Sequence, residues 1–286
     1  MTASKLFLGI DGGGTKCKVR LEDQHGQLLA EATSGPANIA TSIHQAQESM
    51  LSATMTALTN AKIPHHDIAN ISAFAGLAGA NVTTACEAMQ QWRSPFARFQ
   101  FSTDAHIACL GAHQHEDGGV IILGTGFCAG LVTHGQFREF GGHGLLLSDG
   151  ASGSWIGLSL VKHAIEVLDT LSPSSLMIES FLAAMNCHST EQLVKLTLNA
   201  TPQYFAQFAQ HVFATPNDPY AEQILSSAAR FIERYVRHLQ SLGAQKVALV
   251  GGIAMPIRPW LAAEYENALV TPALSPEVAA LTLARR

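Results

Sequence analysis

Leu6-Phe7-Leu8-Gly9-Ile10-Asp11-Gly12-Gly13-Gly14-Thr15-Lys16-Cys17-Lys18-Val19-Arg20-Leu21-Glu22 is the stretch from which the fold is read. The apolar run from Leu6 to Ile10 predicts a buried strand. From Lys16 to Glu22 polar and apolar residues alternate, which predicts a second strand with one solvated face. A turn at His25-Gly26 leads into a third strand, Gln27 to Ala32. Between the first two strands the glycines let backbone N–H groups come close to an anion.

The pattern returns later in the chain. Val120 to Leu123 is an apolar strand, Gly124-Thr125-Gly126 a glycine turn, Phe127 to Thr133 a second strand, His134-Gly135 a turn and Gln136 to Phe140 a third strand. Thr15 precedes Gly26 by 11 residues and Thr125 precedes Gly135 by 10. The chain therefore reads as a duplicated α/β unit, and two such turns facing each other would hold one phosphate chain from both sides. A third glycine pair, Gly251-Gly252, ends the strand Lys246 to Val250.

Outward from these strands, a helix is expected from Ile43 to about Leu58 with Ser42 and Gln45 as a capping box, and another from Thr83 to Trp92. Ile71 to Phe74 and Phe99 to Ser102 read as strands. A helical insertion from Ser152 to Leu242 is broken at Pro173, Pro202, Pro216 and Pro219, and Ser275-Pro276-Glu277 opens a capped terminal helix.

Seventeen Lys and Arg against 22 Asp and Glu give a net charge of −5, which argues against nucleic acid as a partner. No apolar run reaches the roughly 18 residues of a membrane helix, and Leu6 to Ile10 is too short for a signal-peptide core, so no membrane partner and a cytoplasmic location are expected. The five cysteines form no C-x-x-C pair and read as small buried hydrophobes. With 47% hydrophobic and 14% charged residues in 286, two globular domains are expected.

The Walker pattern is absent. Gly124-Thr125-Gly126-Phe127-Cys128-Ala129 fits a dinucleotide fingerprint but runs into a β-type segment where that fingerprint must open a helix. Asp11, at a strand end before three glycines, reads as a Mg²⁺ contact rather than an Asx-turn residue. Asp104 follows a strand and opens a helix, so it reads as an N-cap, a catalytic carboxylate or both. Gly141-Gly142-His143-Gly144 with Ser148-Asp149 offers close backbone approach; alone it reads as a loop capped by Asp149. His65-His66 and His113-x-His115 lack zinc spacing and read as solvated loops.

Taken in order, Asp11 to Thr15, Ala75-Gly76-Leu77-Ala78-Gly79, Thr103-Asp104-Ala105, Gly124 to Gly126, Gly141 to Gly144 with Ser148-Asp149, and Gly251-Gly252 are similar to the N-acetylglucosamine kinase and glucosamine kinase group. That group lies in the BadF/BadG/BcrA/BcrD ATPase family of the actin and hexokinase superfamily, and its bacterial glucosamine kinases resemble the chain most. The resemblance implies a two-domain actin/hexokinase-like fold, a duplicated ribonuclease H-like unit with a nucleotide cleft between the domains. Residues 1–115 would form the N-terminal domain, with a C-terminal helix of about 276–286 packing back on it, and residues 116–286 the C-terminal domain.

It also implies ATP and Mg²⁺. Asp11 would hold the metal, Gly12, Gly13, Gly14 and Thr15 would form the first phosphate loop, Thr125 and Gly126 the second, and Gly251 and Gly252 the adenosine loop. Asn38 would contact the sugar, its plain reading being a turn residue. Asp104 would take the proton from the sugar hydroxyl, O6, and Gly142, His143 and Asp149 would line the sugar loop. The group's N-acetylglucosamine kinases carry Trp where His143 stands and Asp-Glu-Gly-Ser where this chain has Asp149-Gly150-Ala151-Ser152. An altered sugar pocket is implied.

The leading expectation is conversion of glucosamine to glucosamine 6-phosphate, with N-acetylglucosamine as the alternative substrate and a homodimer compatible with the sequence. A rival from another class is the family's ATP-driven activator of 2-hydroxyacyl-CoA dehydratase or benzoyl-CoA reductase type enzymes. Its Gly-Gly-Gln-Asp second loop and cluster cysteines are not matched by Gly124-Thr125-Gly126 and by Cys128 within an alternating strand.

Overall fold

A computed structural model describes residues 5–286. Strands β1 (Leu6–Gly12), β2 (Cys17–Glu22) and β3 (Leu28–Ser34) form an antiparallel meander. Helix α1 (Ile43–Asn60), strand β4 (Ile71–Leu77), helix α2 (Thr83–Gln90), strand β5 (Arg98–Thr103) and helix α3 (Asp104–Ala112) follow. The sheet order is β3-β2-β1-β4-β5, with β4 parallel to β1 and β5 parallel to β4.

The second half repeats this plan. Strands β6 (Gly118–Leu123), β7 (Phe127–Thr133) and β8 (Gln136–Phe140) precede six helices: α4 (Gly153–Leu168), α5 (Leu176–Ala184), α6 (Thr190–Thr197), α7 (Pro202–Ala206), α8 (Ala209–Ala214) and α9 (Pro219–Ser241). Then come β9 (Val247–Val250), the short α10 (Ala254–Ile257), β10 (Leu269–Val270) and α11 (Pro276–Ala284). The order β8-β7-β6-β9-β10 matches the first sheet strand for strand, with β6, β9 and β10 parallel. Duplication thus extends from the three-strand meander to the whole five-strand sheet.

Two compact units result. One comprises the described residues through Gly118 together with Leu131–Phe137 and Thr271–Arg286; the other comprises Gly119–Gly130 and Arg138–Val270. In the first unit, Ala46, Met50, Ala53 and Ala57 form a stripe at helical spacing on α1 that is fully buried with Leu8, Ile10, Val19 and Leu21 of the sheet. Each large side chain so buried contributes about 1.5–3 kcal/mol before entropy is counted. The opposite face of β1 takes α11 so closely that a methyl on Gly9 would collide with the backbone of Glu277. Phe7 packs there against Leu281 and Ala284, with the Arg285 guanidinium 4.3 Å from the Phe7 ring.

This contact corrects the expectation of a solvated β2 face. Lys18 donates to Glu277 at 2.6 Å, and the Glu277 side chain is 3% exposed. Arg20 pairs with Glu22 and Glu31. Burial opposes ionisation of Glu277, but bonds from Lys18, Ser275 and its own backbone N–H outweigh burial and hold its carboxyl below the usual value. Ser275 does not cap α11 through its side chain; its hydroxyl donates to Glu277 at 2.7 Å. Pro202 and Pro219 begin α7 and α9 at the first turn, where their missing N–H costs nothing.

The His113–His115 segment is less solvated than its composition suggests, because both ring nitrogens of His115 are buried. Among the described residues no cluster of three or more His, Cys, Asp or Glu could hold a metal ion, and no helix is long and apolar enough to cross a membrane.

Candidate active site

The first unit gathers its candidate residues at the carboxyl ends of β1, β4 and β5. Register sets Asp11 opposite Gly76 of β4 and Gly76 opposite Ser102 of β5, so all three stand on one face, and β1 and β5 lie two strand spacings, about 10 Å, apart. Gly76 has no side chain, and Ile107 of α3 fills the space; the Cα of Asp104 lies 3.2 Å from where a Gly76 Cβ would be. Asp11 on β1 and Asp104, at the start of α3 one residue past β5, therefore lie to either side of Gly76. A Cβ at Gly76 would collide with the Ile107 side chain.

Asp104 is the first residue of α3 and not its cap. Thr103 caps, accepting from His106 N–H at 3.2 Å, while Asp104 Oδ1 accepts from Ala105 N–H at 2.9 Å. The capping half of the sequence expectation thus moves to Thr103. Burial, with repulsion from Glu277 added, pushes the Asp11 carboxyl up to about 6, and Lys16 and Lys18 offset only part of this.

Backbone bonds lace the surrounding loops together. Ala78 N–H donates to Gly12 at 2.8 Å, Ala37 N–H to Gly13 at 2.9 Å and Ile39 N–H to Ala78 at 3.0 Å. Asn38 Oδ1 accepts from Ala40 N–H at 2.9 Å and Thr41 N–H at 3.2 Å, an Asx turn. The turn reading of Asn38 is therefore present in the fold, and what its side chain can offer a ligand is its amide donors. Gly13 N–H donates to Lys16 at 2.9 Å and closes the turn, at whose tip a methyl on Gly14 would meet nothing within 4 Å.

In the second unit, Gly124 N–H donates to Gly126 at 3.1 Å and closes the turn after β6. The first N–H groups of α4 brace it from behind, Gly153 to Gly124 at 2.8 Å and Ser154 to Thr125 at 3.2 Å, with Ser152 as cap. β7 follows as a strand where a dinucleotide fingerprint would have to open a helix. Gly251 ends the neighbouring parallel strand β9 with φ +102°, and a side chain there would run into the backbone of Leu123. The Gly251-Gly252 pair and the Gly124–Gly126 turn are thus side by side at the carboxyl edge of one sheet.

Asp149 is 7% exposed and ties this edge to the loop that follows β8. Its Oδ1 accepts from Gly144 N–H at 3.1 Å and from Ser148 Oγ at 3.4 Å, and its Oδ2 lies 2.9 Å from where a Gly126 Cβ would be. Burial raises its carboxyl, and bonds from Gly144, Phe127 and Ser148 and the His143 charge oppose the rise. Its observed task is to shape the loop. His143 and Gly142 are exposed, and His143 N–H donates to Ser148 Oγ at 2.7 Å.

Four residues have parts that the sequence reading did not assign: Thr103 as the cap of α3, Glu277 as the charge beside Asp11, and Phe231 and Tyr235 as the rings that underlie the Gly141–Gly150 loop. A Thr before Asp104 is itself a capping signal, whereas nothing local marks Glu277 as the neighbour of Asp11.

Two five-stranded mixed sheets of matching order, each with glycine turns at its carboxyl edge, have the plan of the actin and hexokinase fold. The sequence profile of the BadF/BadG/BcrA/BcrD ATPase family matches residues 8–281, and the chain belongs to that family. It is 34% identical over 268 residues to the glucosamine kinase GspK of Vibrio cholerae, covering 93% of this chain and 91% of that one. A solved structure from Chromobacterium violaceum, assigned as an N-acetylglucosamine kinase, superposes with a TM-score of 0.93 at 28% identity, covering 99% of both chains. The fold is shared more distantly with a glucokinase of the ROK family from Streptomyces griseus, at TM-score 0.56, 17% identity and coverage of 98% and 99%. The protein is an ATP-using phosphotransferase with a sugar acceptor.

Proposed function

We propose that the protein transfers the γ-phosphoryl group of ATP to the 6-hydroxyl of glucosamine, giving glucosamine 6-phosphate and ADP. The observation that carries the chemistry is the pair Asp11 and Asp104, held on either side of Gly76 at the carboxyl ends of parallel strands. Such strand ends are where open α/β sheets receive ligands. Phosphoryl transfer needs positioning and charge neutralisation more than covalent help from the protein. Asp104 accepts the hydroxyl proton late in transfer, and the N–H groups of Gly14, Thr15, Thr125 and Gly126 bind phosphate oxygens, those of Gly13 and Gly124 being held by the Lys16 and Gly126 carbonyls.

Asp11 fits a magnesium ion: it offers a hard oxygen donor, and a cation beside it would offset the burial, and the added repulsion from Glu277, that raise its carboxyl. Magnesium is held by one or two carboxylates plus substrate phosphates rather than by an all-protein cage, consistent with a lone Asp11. When bound it supplies neutralisation of phosphate charge. Asn38 amide donors and the exposed His143 bind sugar hydroxyls, while Asp149 keeps the loop in shape.

Three turn glycines, Gly14, Gly124 and Gly252, stand where a methyl would meet no protein atom within 4 Å, and none of the three has a left-handed φ. Packing does not require glycine there, and ligand approach supplies the reason. Alanine at each is expected to stabilise the folded protein by about 0.4–1 kcal/mol, by limiting the unfolded chain. KM for ATP is expected to rise. Melting curves and ATP titrations of the three variants check this, and unchanged ATP kinetics in all three would remove the phosphate-loop assignment.

Glucosamine is favoured by the Vibrio cholerae relative and by the exposed His143. The Chromobacterium violaceum structure keeps N-acetylglucosamine as the second reading. ATP consumption across glucosamine, N-acetylglucosamine, glucose and mannosamine separates them, with the highest kcat/KM expected for glucosamine. Comparable values for the amine and the acetamide would overturn the glucosamine assignment.

A further inference from the structure

The loop from Gly141 to Gly150 has little side-chain packing of its own. Leu146 and Leu147 are 89% and 82% exposed, and His143 also stands in solvent. Both ends of the loop nevertheless rest on aromatic rings. A Cβ on Gly141 would lie 3.1 Å from Phe127 and 3.1 Å from Tyr235 Oη, and one on Gly150 would lie 2.6 Å from the Phe231 ring. The three rings touch one another, with centroids 4.9, 4.6 and 5.1 Å apart at tilted or edge-on angles.

Phe231 and Tyr235 sit one turn apart on α9, the 23-residue helix, so their spacing is fixed by a rigid element. Phe127 is 2% exposed and follows Gly126 directly. At Gly141 and Gly150 the rings approach so closely that they set the path of the chain. Burial of Tyr235, with Cys128 and Asp149 adding repulsion, raises its phenol and agrees with this placement.

We propose that Phe231, with Tyr235 and Phe127, is a positioning residue that seats the Gly141–Gly150 loop against the Gly124–Gly126 turn and so sets the sugar relative to the transferred phosphate. The proposal rests on the reading of that loop as sugar-binding. It goes beyond that reading by assigning the loop's geometry to helix α9. Phe231 acts through Gly150, and the two are expected to be energetically coupled.

The test is a double-mutant cycle of Phe231→Ala and Gly150→Ala, with Phe231→Leu as a milder variant that serves also if Phe231→Ala does not fold. Gly150 has no left-handed φ, so alanine there is opposed by the ring rather than by the backbone. Phe231→Ala is expected to lose roughly 10- to 100-fold in kcat/KM for glucosamine through the loosened loop, with ATP affinity in the absence of sugar unchanged. Phe231→Leu recovers most of the loss.

Gly150→Ala alone is harmful, and in the Phe231→Ala background its methyl refills vacated space, so the combined loss is smaller than the product of the two single losses. Independent effects, or a fall in melting temperature with sugar KM unmoved, would reduce the rings to ordinary core and overturn the proposal. A wild-type protein that phosphorylates no sugar overturns the parent reading, a result distinct from an active wild type whose Phe231→Ala variant keeps its sugar KM.

Discussion

Asp104→Asn is expected to fold normally and to lose kcat by about 10²–10⁴, the usual contribution of a positioned general base. Asparagine retains an oxygen that can accept from Ala105 N–H, and the cap of α3 belongs to Thr103, so the substitution leaves local structure in place. Loss of a charge from the first helical turn costs about 0.3–1 kcal/mol. ATP affinity should barely change. Initial-rate kinetics beside a melting curve separate this from a structural role, which predicts a modest loss of stability with turnover kept. Near-wild-type turnover in the folded variant would remove Asp104 from the chemistry.

Asp11→Asn is expected to move activity and stability in opposite directions. A carboxyl raised from 3.8 to about 6 binds its proton more tightly in the folded than in the unfolded chain. Folding is therefore favoured as pH falls from 6 towards 3.8, and above 6 the charged form carries the full penalty, about 3 kcal/mol at most. The neutral amide removes that penalty, so at pH 8 the metal-free variant should melt several degrees above wild type. Turnover should fall roughly 10²-fold or more as charge neutralisation at the phosphates is lost. The stability gain should vanish when both proteins are melted below pH 4. A variant that melts lower at pH 8 would mean that the Asp11 carboxylate supports the fold instead.

Much of the architecture was legible because its signals are local. Period-2 alternation and glycine punctuation marked β1–β3 and β6–β8 within a residue or two, and Ser42 accepts from Gln45 N–H at 3.2 Å at the predicted start of α1. The two-residue β10 carries too few positions to show a period. The alternation Lys16, Lys18, Arg20 gave no sign of α11, because a polar face looks the same whether it meets water or a glutamate 259 residues away.

Within the site, the strand-end carboxylates and turn glycines were visible as residue types at meaningful positions. Their division of labour was not. Asp149 in a glycine-rich loop reads alike whether its oxygens face a ligand or, as here, take Gly144 N–H, and the helix cap lay one residue before the expected Asp104. Phe231 and Tyr235 escaped notice because an aromatic pair one turn apart on an amphipathic helix reads as core.

The most direct test of the central claim is the identity of the product. Protein, ATP, magnesium and glucosamine are incubated, and the sugar phosphate is examined by phosphorus–proton correlation NMR. The account predicts one product, in which the new phosphorus couples to the two protons on C6 while the C2 amine stays free, formed one for one with ADP. Phosphorus coupled to the anomeric proton, or ADP released with no phosphorylated sugar, would contradict it.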